Sequence, residues 1–172
     1  MESALPPVTA ILTFVVVAPI AEEFIFRRLL LDRVRIFGDG AAILIGGAAF
    51  GLFHGNLNQT LYAFVLGAVF SAIVLLTNRL RYTIGIHMLI NGISVLTTLV
   101  ESDLLDYLLA CVILFSICFS VVLFFVRRKH YTLEPGPLPF SRAEKAHACF
   151  TSPWVWILLV GGLAYSGVSI FL

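Results

Sequence analysis

Residues 10–28 read AILTFVVVAPIAEEFIFRR: an apolar run, a proline, two adjacent glutamates, then two arginines. This stretch decides the fold class, because a carboxylate in hydrocarbon is costly and is kept only where it is paired or functional. The rest of the chain agrees with a hydrocarbon setting. Of its 172 residues 60% are hydrophobic and 12% charged, about half the ~25% charge of a soluble domain. Its mean hydropathy is +1.02. The charge gathers between long apolar runs, the pattern of a helical membrane protein. A formal net charge of +1, without a basic stripe, predicts no nucleic-acid partner.

A spanning helix needs about 20 mostly apolar residues. Six stretches approach or reach that length, at 5–26, 41–57, 60–77, 82–100, 104–126 and 154–172. The period-2 alternation of a membrane β-barrel is absent. The predicted class is therefore all-α, a polytopic transmembrane bundle of about six helices. Pro6 and Pro7 suit a helix start, and Pro19 is expected to bend the first helix just before the glutamates. Charge gives the topology. RRLLLDRVR (27–35), TNRLR (77–81) and RRKH (127–130) are basic, whereas GNLNQ (55–59) and ESDLLD (101–106) carry no Lys or Arg. By the positive-inside rule the three basic connections are cytoplasmic and both termini face the other side.

Residues 1–126 thus form a membrane core, 127–152 a cytoplasmic linker with a short helix, and 154–172 a last span entered through SPWVW, with Trp154 and Trp156 as interfacial anchors. The N-terminus lacks a basic n-region and a cleavage site, so the first run is expected to stay in the mature protein. Of the three cysteines, Cys111 and Cys118 lie in an apolar segment and there is no CxxC pair. They read as small hydrophobes, not as a disulfide framework.

Few ionisable side chains fall within spans: Glu22, Glu23, Arg27, His54 and His87, joined by the amide of Asn91. Glu23 and Arg27 are four apart and share a helix face, which predicts an ion pair. Glu22 points about 100° away from Glu23. Burial without a cation disfavours its charged form, the situation a general base or acid near neutral pH exploits. Phe50 and His54 are also four apart, as are His87 and Asn91. Gly47, Gly51 and Gly55 repeat at the same spacing beside His54 and predict close approach of helix backbones. An isolated His or Asn in a span more often makes an interhelical hydrogen bond than a catalytic contact. Here the polar groups concentrate in the first four spans, which favours one buried wet site. No HExxH, GxSxG, P-loop or dinucleotide fingerprint occurs.

Taken in order, EEFIFR (22–27), FGLFH (50–54) and HMLIN (87–91) resemble the motifs EExxxR, FxxxH and HxxxN of the CPBP family. That family comprises CAAX prenyl proteases and bacteriocin-processing proteins, which are intramembrane endopeptidases. The resemblance covers residues 19–92. It implies that Glu22 activates the water, that His54 helps to hold it, and that His87 and Asn91 stabilise the oxyanion, with Glu23 and Arg27 as support. Members have been read both as metal-free glutamate proteases and as metalloproteases. The first reading is favoured and needs no cofactor; in the second, Glu22, His54 and His87 would bind Zn²⁺.

The expected partners are a peptide or protein substrate presented at the membrane and the lipid bilayer itself. The expected location is a bacterial plasma membrane, with the site opening to the cytoplasm. Oligomeric state is left open. Two other functions use the same residues: a non-proteolytic scaffold or bacteriocin-immunity-type protein, and a proton-coupled transporter. A relay would string Glu and His along a path across the membrane, whereas a hydrolase gathers them around one water.

Overall fold

The computed structural model describes residues 7–100, 102–137, 139–153, 156 and 160. Trp154, and the predicted last span apart from residues 156 and 160, lie outside the described residues. Among the described residues the chain is helical, with no strand.

Residues 7–37 form one unbroken helical run of changing pitch. It passes through α1 (Pro7–Ala10), a π-helix (Ile11–Val17), α2 (Ala18–Glu23), a second π-helix (Phe24–Leu30), α3 (Leu31–Val34) and a 3-10 turn (Arg35–Phe37). Pro7 occupies a first-turn position, where its missing N–H is no loss. Pro19, inside the run, cannot donate to the turn before it, and that turn is the wide one. The basic stretch 27–35, expected from the sequence to be a connection, is instead part of this run. Its residues are good helix formers, and Arg28 pairs with Asp32 one turn on at 3.2 Å. The run stops at Gly38, whose φ of +95° suits glycine.

Five longer elements follow. They are α4 (Asp39–Phe53), α5 (Leu57–Thr77), α6 (Leu80–Leu99), α7 (Asp103–Arg127) and α8 (Arg142–Thr151), with a 3-10 turn at Arg128–His130. The 15 residues of α4 span only about 22 Å, short of a ~30 Å hydrocarbon core. Gly55, at φ +59°, ends α4 just past His54. Among the described residues, Gln59–Thr77 and Leu80–Leu99 are long and apolar enough to cross a membrane by length and composition. Helix α8 starts on a capping box, with Ser141 Oγ accepting from the Glu144 N–H and the Glu144 carboxylate accepting from the Ser141 N–H. That backbone donor holds the Glu144 carboxyl below the usual glutamate range. The box therefore supports α8 above the ordinary glutamate pKa and is lost as pH falls through the lowered value.

The contacts divide the chain into two units, Met1–Glu22 with Ile84–Thr132, and Glu23–Thr83 with Leu133–Leu172. The second unit carries an apolar core of Phe26, Ala49, Phe50 and Ala63, with Leu30 against it. Its main seam joins α4 and α5 through small residues. A Cβ at Gly47 would lie 2.9 Å from the Phe64 carbonyl oxygen, and one at Gly51 2.7 Å from that of Thr60. The sequence pattern located this seam at Gly47 and Gly51; Gly55 serves the turn instead.

In the same unit the polar linker returns to the start of α4. The Asp39 carboxylate, almost fully buried, accepts from Arg35 Nε at 2.9 Å and from the Glu134 N–H at 3.0 Å. The Asp39 N–H donates in turn to the Glu134 carbonyl at 3.0 Å. Phe37 and Phe140 meet beside this clasp, with ring centroids 5.6 Å apart.

Gly51→Ala is expected to cost about 1–3 kcal/mol by forcing backbone apart at the seam. Gly85→Ala, on α6 where an added Cβ meets nothing within 4 Å, is expected to be neutral or to gain up to about 1 kcal/mol of helix propensity. Thermal unfolding in detergent separates the two, and equal midpoints would show that the seam is not closely packed.

Candidate active site

In the first unit Glu22 stands one residue before the end of α2 and His87 lies in the first half of α6. Their side chains meet, with Glu22 Oε2 3.8 Å from His87 Nε2. The His87 side chain is only 6% exposed and that of Glu22 19%. A separation of 3.8 Å is too long for a direct hydrogen bond and within reach of one bridging water. The first and third motifs are thus brought together on a carboxylate and an imidazole.

Asn91, one turn beyond His87, reaches the first helical run differently. Its Nδ2 donates to the Phe14 carbonyl at 2.9 Å. Phe14 lies in the π-helix Ile11–Val17, and in that wide register the donor for its carbonyl would be five residues on. That residue is Pro19, which has no N–H. The side-chain amide of Asn91 supplies the donor that the proline lacks. A primary amide has two N–H groups, so this bond fixes the orientation of the side chain while using one of them.

The second unit holds the remaining residues. Glu23 and Arg27 form the ion pair that their spacing predicts, at 3.4 Å, with both side chains fully buried. Arg27 is also boxed by aromatic faces: its guanidinium carbon lies 4.5 Å from the Phe50 ring centroid, 5.5 Å from Phe70 and 5.7 Å from Phe26. Such contacts strengthen as water is removed. Phe50 packs edge-on against Phe26 at 5.2 Å and against His54 at 4.7 Å. His54, half-buried at the C-terminal cap of α4, has Nδ1 2.8 Å from the Phe50 carbonyl oxygen. A carbonyl can only accept, so Nδ1 carries the proton and a neutral ring keeps its lone pair on Nε2. Phe50 thus acts twice, through its ring on Arg27 and through its carbonyl on His54.

Sequence reasoning assigned Phe50 no role beyond its place in FxxxH, and missed Phe26 and Phe70. Phe70 lies on α5 with no local pattern to mark it. Phe26 sits inside EEFIFR and was hidden by the charges around it. Among the described residues, neither unit by itself gathers three His, Cys, Asp or Glu side chains in an arrangement that could hold a metal ion. Glu22 and His87 belong to the first unit and His54 to the second.

Comparison with known proteins gives one positive result. The family model described as type II CAAX prenyl endopeptidase Rce1-like matches residues 4–93, a little over half the chain and all six of the residues above. No curated protein and no solved structure gave a significant match. The matched family is membrane-embedded, in keeping with two helices apolar and long enough to cross a bilayer. With its three motifs in order along the chain and the family match across them, the chain belongs to the Rce1-like family of type II CAAX prenyl endopeptidases.

Proposed function

We propose that the chain is a multi-pass intramembrane endopeptidase that hydrolyses peptide bonds with a water activated by Glu22. The observation that carries this reading is the Glu22–His87 approach of 3.8 Å, a carboxylate and an imidazole both largely shielded from solvent. The family match supports peptidase activity on prenylated CAAX-type C-termini. Glutamate chemistry, six spans and a site opening to the cytoplasm extend the proposal beyond that match.

Glu22 takes a proton from the water as its oxygen adds to the scissile carbonyl carbon. The carbonyl π electrons move onto oxygen, and the resulting oxyanion needs donors aimed at it. The imidazole of His87 and the second N–H of Asn91 are assigned that task. The motif resemblance assigns His54 to the same water, and with Nδ1–H held on the Phe50 carbonyl the ring nitrogen left to accept a proton is Nε2. Collapse of the tetrahedral intermediate breaks the C–N bond, and Glu22 returns its proton to the leaving amine. The Glu23–Arg27 pair does not enter these steps. Its contribution is to hold the helix that presents Glu22.

Glu22→Gln and His54→Ala are each expected to lower cleavage of a quenched prenyl-peptide substrate in detergent by ~10²–10⁴-fold while leaving the fold intact by circular dichroism. Full activity in either variant overturns the assignment. Chelator treatment is expected to leave wild-type cleavage unchanged. Loss that Zn²⁺ restores would replace this mechanism with a metal-dependent one using Glu22, His54 and His87.

Asn91→Ala is expected to lose both a structural and a catalytic share, about 1–2 kcal/mol of stability and most of the activity. Pro19→Ala restores the N–H that the Phe14 carbonyl lacks. In the double variant stability should therefore recover while cleavage stays low. A double-mutant cycle on melting temperature with no coupling between the two positions would show that Asn91 does not substitute for the proline's missing donor.

A further inference from the structure

A cleft of about 250 Å³ opens in the second unit between residues 24–35 of the first helical run and the C-terminal end of α5. Its polar side is lined by Arg27, Arg28 and Arg35 with a single acid, Asp32, and its apolar walls include Leu31, Val74 and Leu75. The volume lies below the ~300–1,000 Å³ typical of pockets for drug-sized ligands and suits a headgroup-sized anion.

Charge at this end is one-sided. Across residues 23–39 and 78–81 there are six arginines against Glu23, Asp32 and Asp39. The existing ion pairs leave donors available. Arg28 meets Asp32 through Nη1 with both side chains more than half exposed, and an exposed pair of this kind is weak and exchangeable. Arg35 meets Asp39 through Nε, so the Nη groups of its planar fork can address another anion. The cleft also has a gradient. Leucine and valine walls lie where α5, one of the helices long enough to span a bilayer, reaches its end. Arg27 is buried, whereas the side chains of Arg28 and Arg35 are 62% and 45% exposed.

We propose that this cleft binds an anionic phospholipid, with the phosphate held by Arg28 and Arg35 and the start of an acyl chain laid along the part-exposed Val74 and Leu75. Apolar walls at the end of a spanning helix must be covered by something apolar, and the exposed arginines select a negative headgroup. Phosphate suits the guanidinium fork because its oxygens accept two parallel N–H bonds. Basic clefts between spanning helices on the cytoplasmic side are the general setting for such lipids. The inference rests on the membrane placement of α5 and not on the peptidase mechanism.

The test is thermal unfolding of the full chain in neutral detergent, titrated with phosphatidylglycerol or phosphatidylcholine, and repeated on the Glu22→Gln protein so that the outcome is independent of cleavage. Phosphatidylglycerol is expected to raise the midpoint in both proteins, and phosphatidylcholine and inorganic phosphate are not. Arg28→Gln with Arg35→Gln should weaken the lipid response ~10–30-fold, and Val74→Trp should abolish it by filling the cleft with every charge in place. Arg33→Gln, on the same helical run but outside the cleft, should leave the response intact. An equal loss in Arg33→Gln would mean diffuse surface attraction, and an equal gain with inorganic phosphate would mean a simple anion site. Either result, or no lipid response at all, overturns the proposal.

Discussion

Two fully buried opposite charges, Glu23 and Arg27, constrain everything around them. Neither can be left alone away from water, because an unpaired buried charge is among the most destabilising features a fold can contain. Pairing alone leaves the flat guanidinium faces to be covered, and the rings of Phe26, Phe50 and Phe70 cover them. Those rings come from three elements, so the ion pair dictates that α4 and α5 pack against residues 24–30. The close seam at Gly47 and Gly51 follows, since α4 and α5 must approach closely for Phe50 and Phe70 to meet over one arginine. The Phe50 carbonyl then sets the proton position on His54. A charge pair that takes no part in the proposed chemistry thus organises a residue that does.

Glu22 is the neighbour of this pair in sequence and differs from it in setting. Glu23 has a cation on its own face of the helix and Glu22 has an imidazole from α6. Adjacent carboxylates on a helix diverge by about 100°, which lets one be structural and the other reactive. The wide turns on either side of α2 give the same short segment two changes of pitch, a feature that recurs at functional positions in helices.

The sequence made some of this readable and concealed the rest. Composition and apolar run length are averages over many residues, so the helical class was legible from them. The Glu23–Arg27 pair was legible because i, i+4 geometry is local. The approach of Glu22 to His87 was suggested by the rarity of ionisable groups in apolar segments, not by any property of residues 22 or 87 alone. Contacts that depend on distant segments were illegible: Phe70 over Arg27, Asn91 on the Phe14 carbonyl, and the linker on Asp39. The extension of the first run to Phe37 was hidden because basic residues mark a membrane boundary without marking a helix end.

The clasp between Asp39 and Glu134 has a consequence for biosynthesis. Its two ends are 95 residues apart. At ~5–20 residues per second of synthesis, Asp39 precedes its partner by roughly 5–20 s. Throughout that interval a carboxylate destined for burial must be accommodated by groups already made, and Arg35, four residues upstream, is such a group. The local ion pair can serve as a placeholder for the nascent chain, keeping the start of α4 neutral until the linker emerges. The second unit can close only after residues 84–132 of the first have been translated, so its completion is a late event by construction.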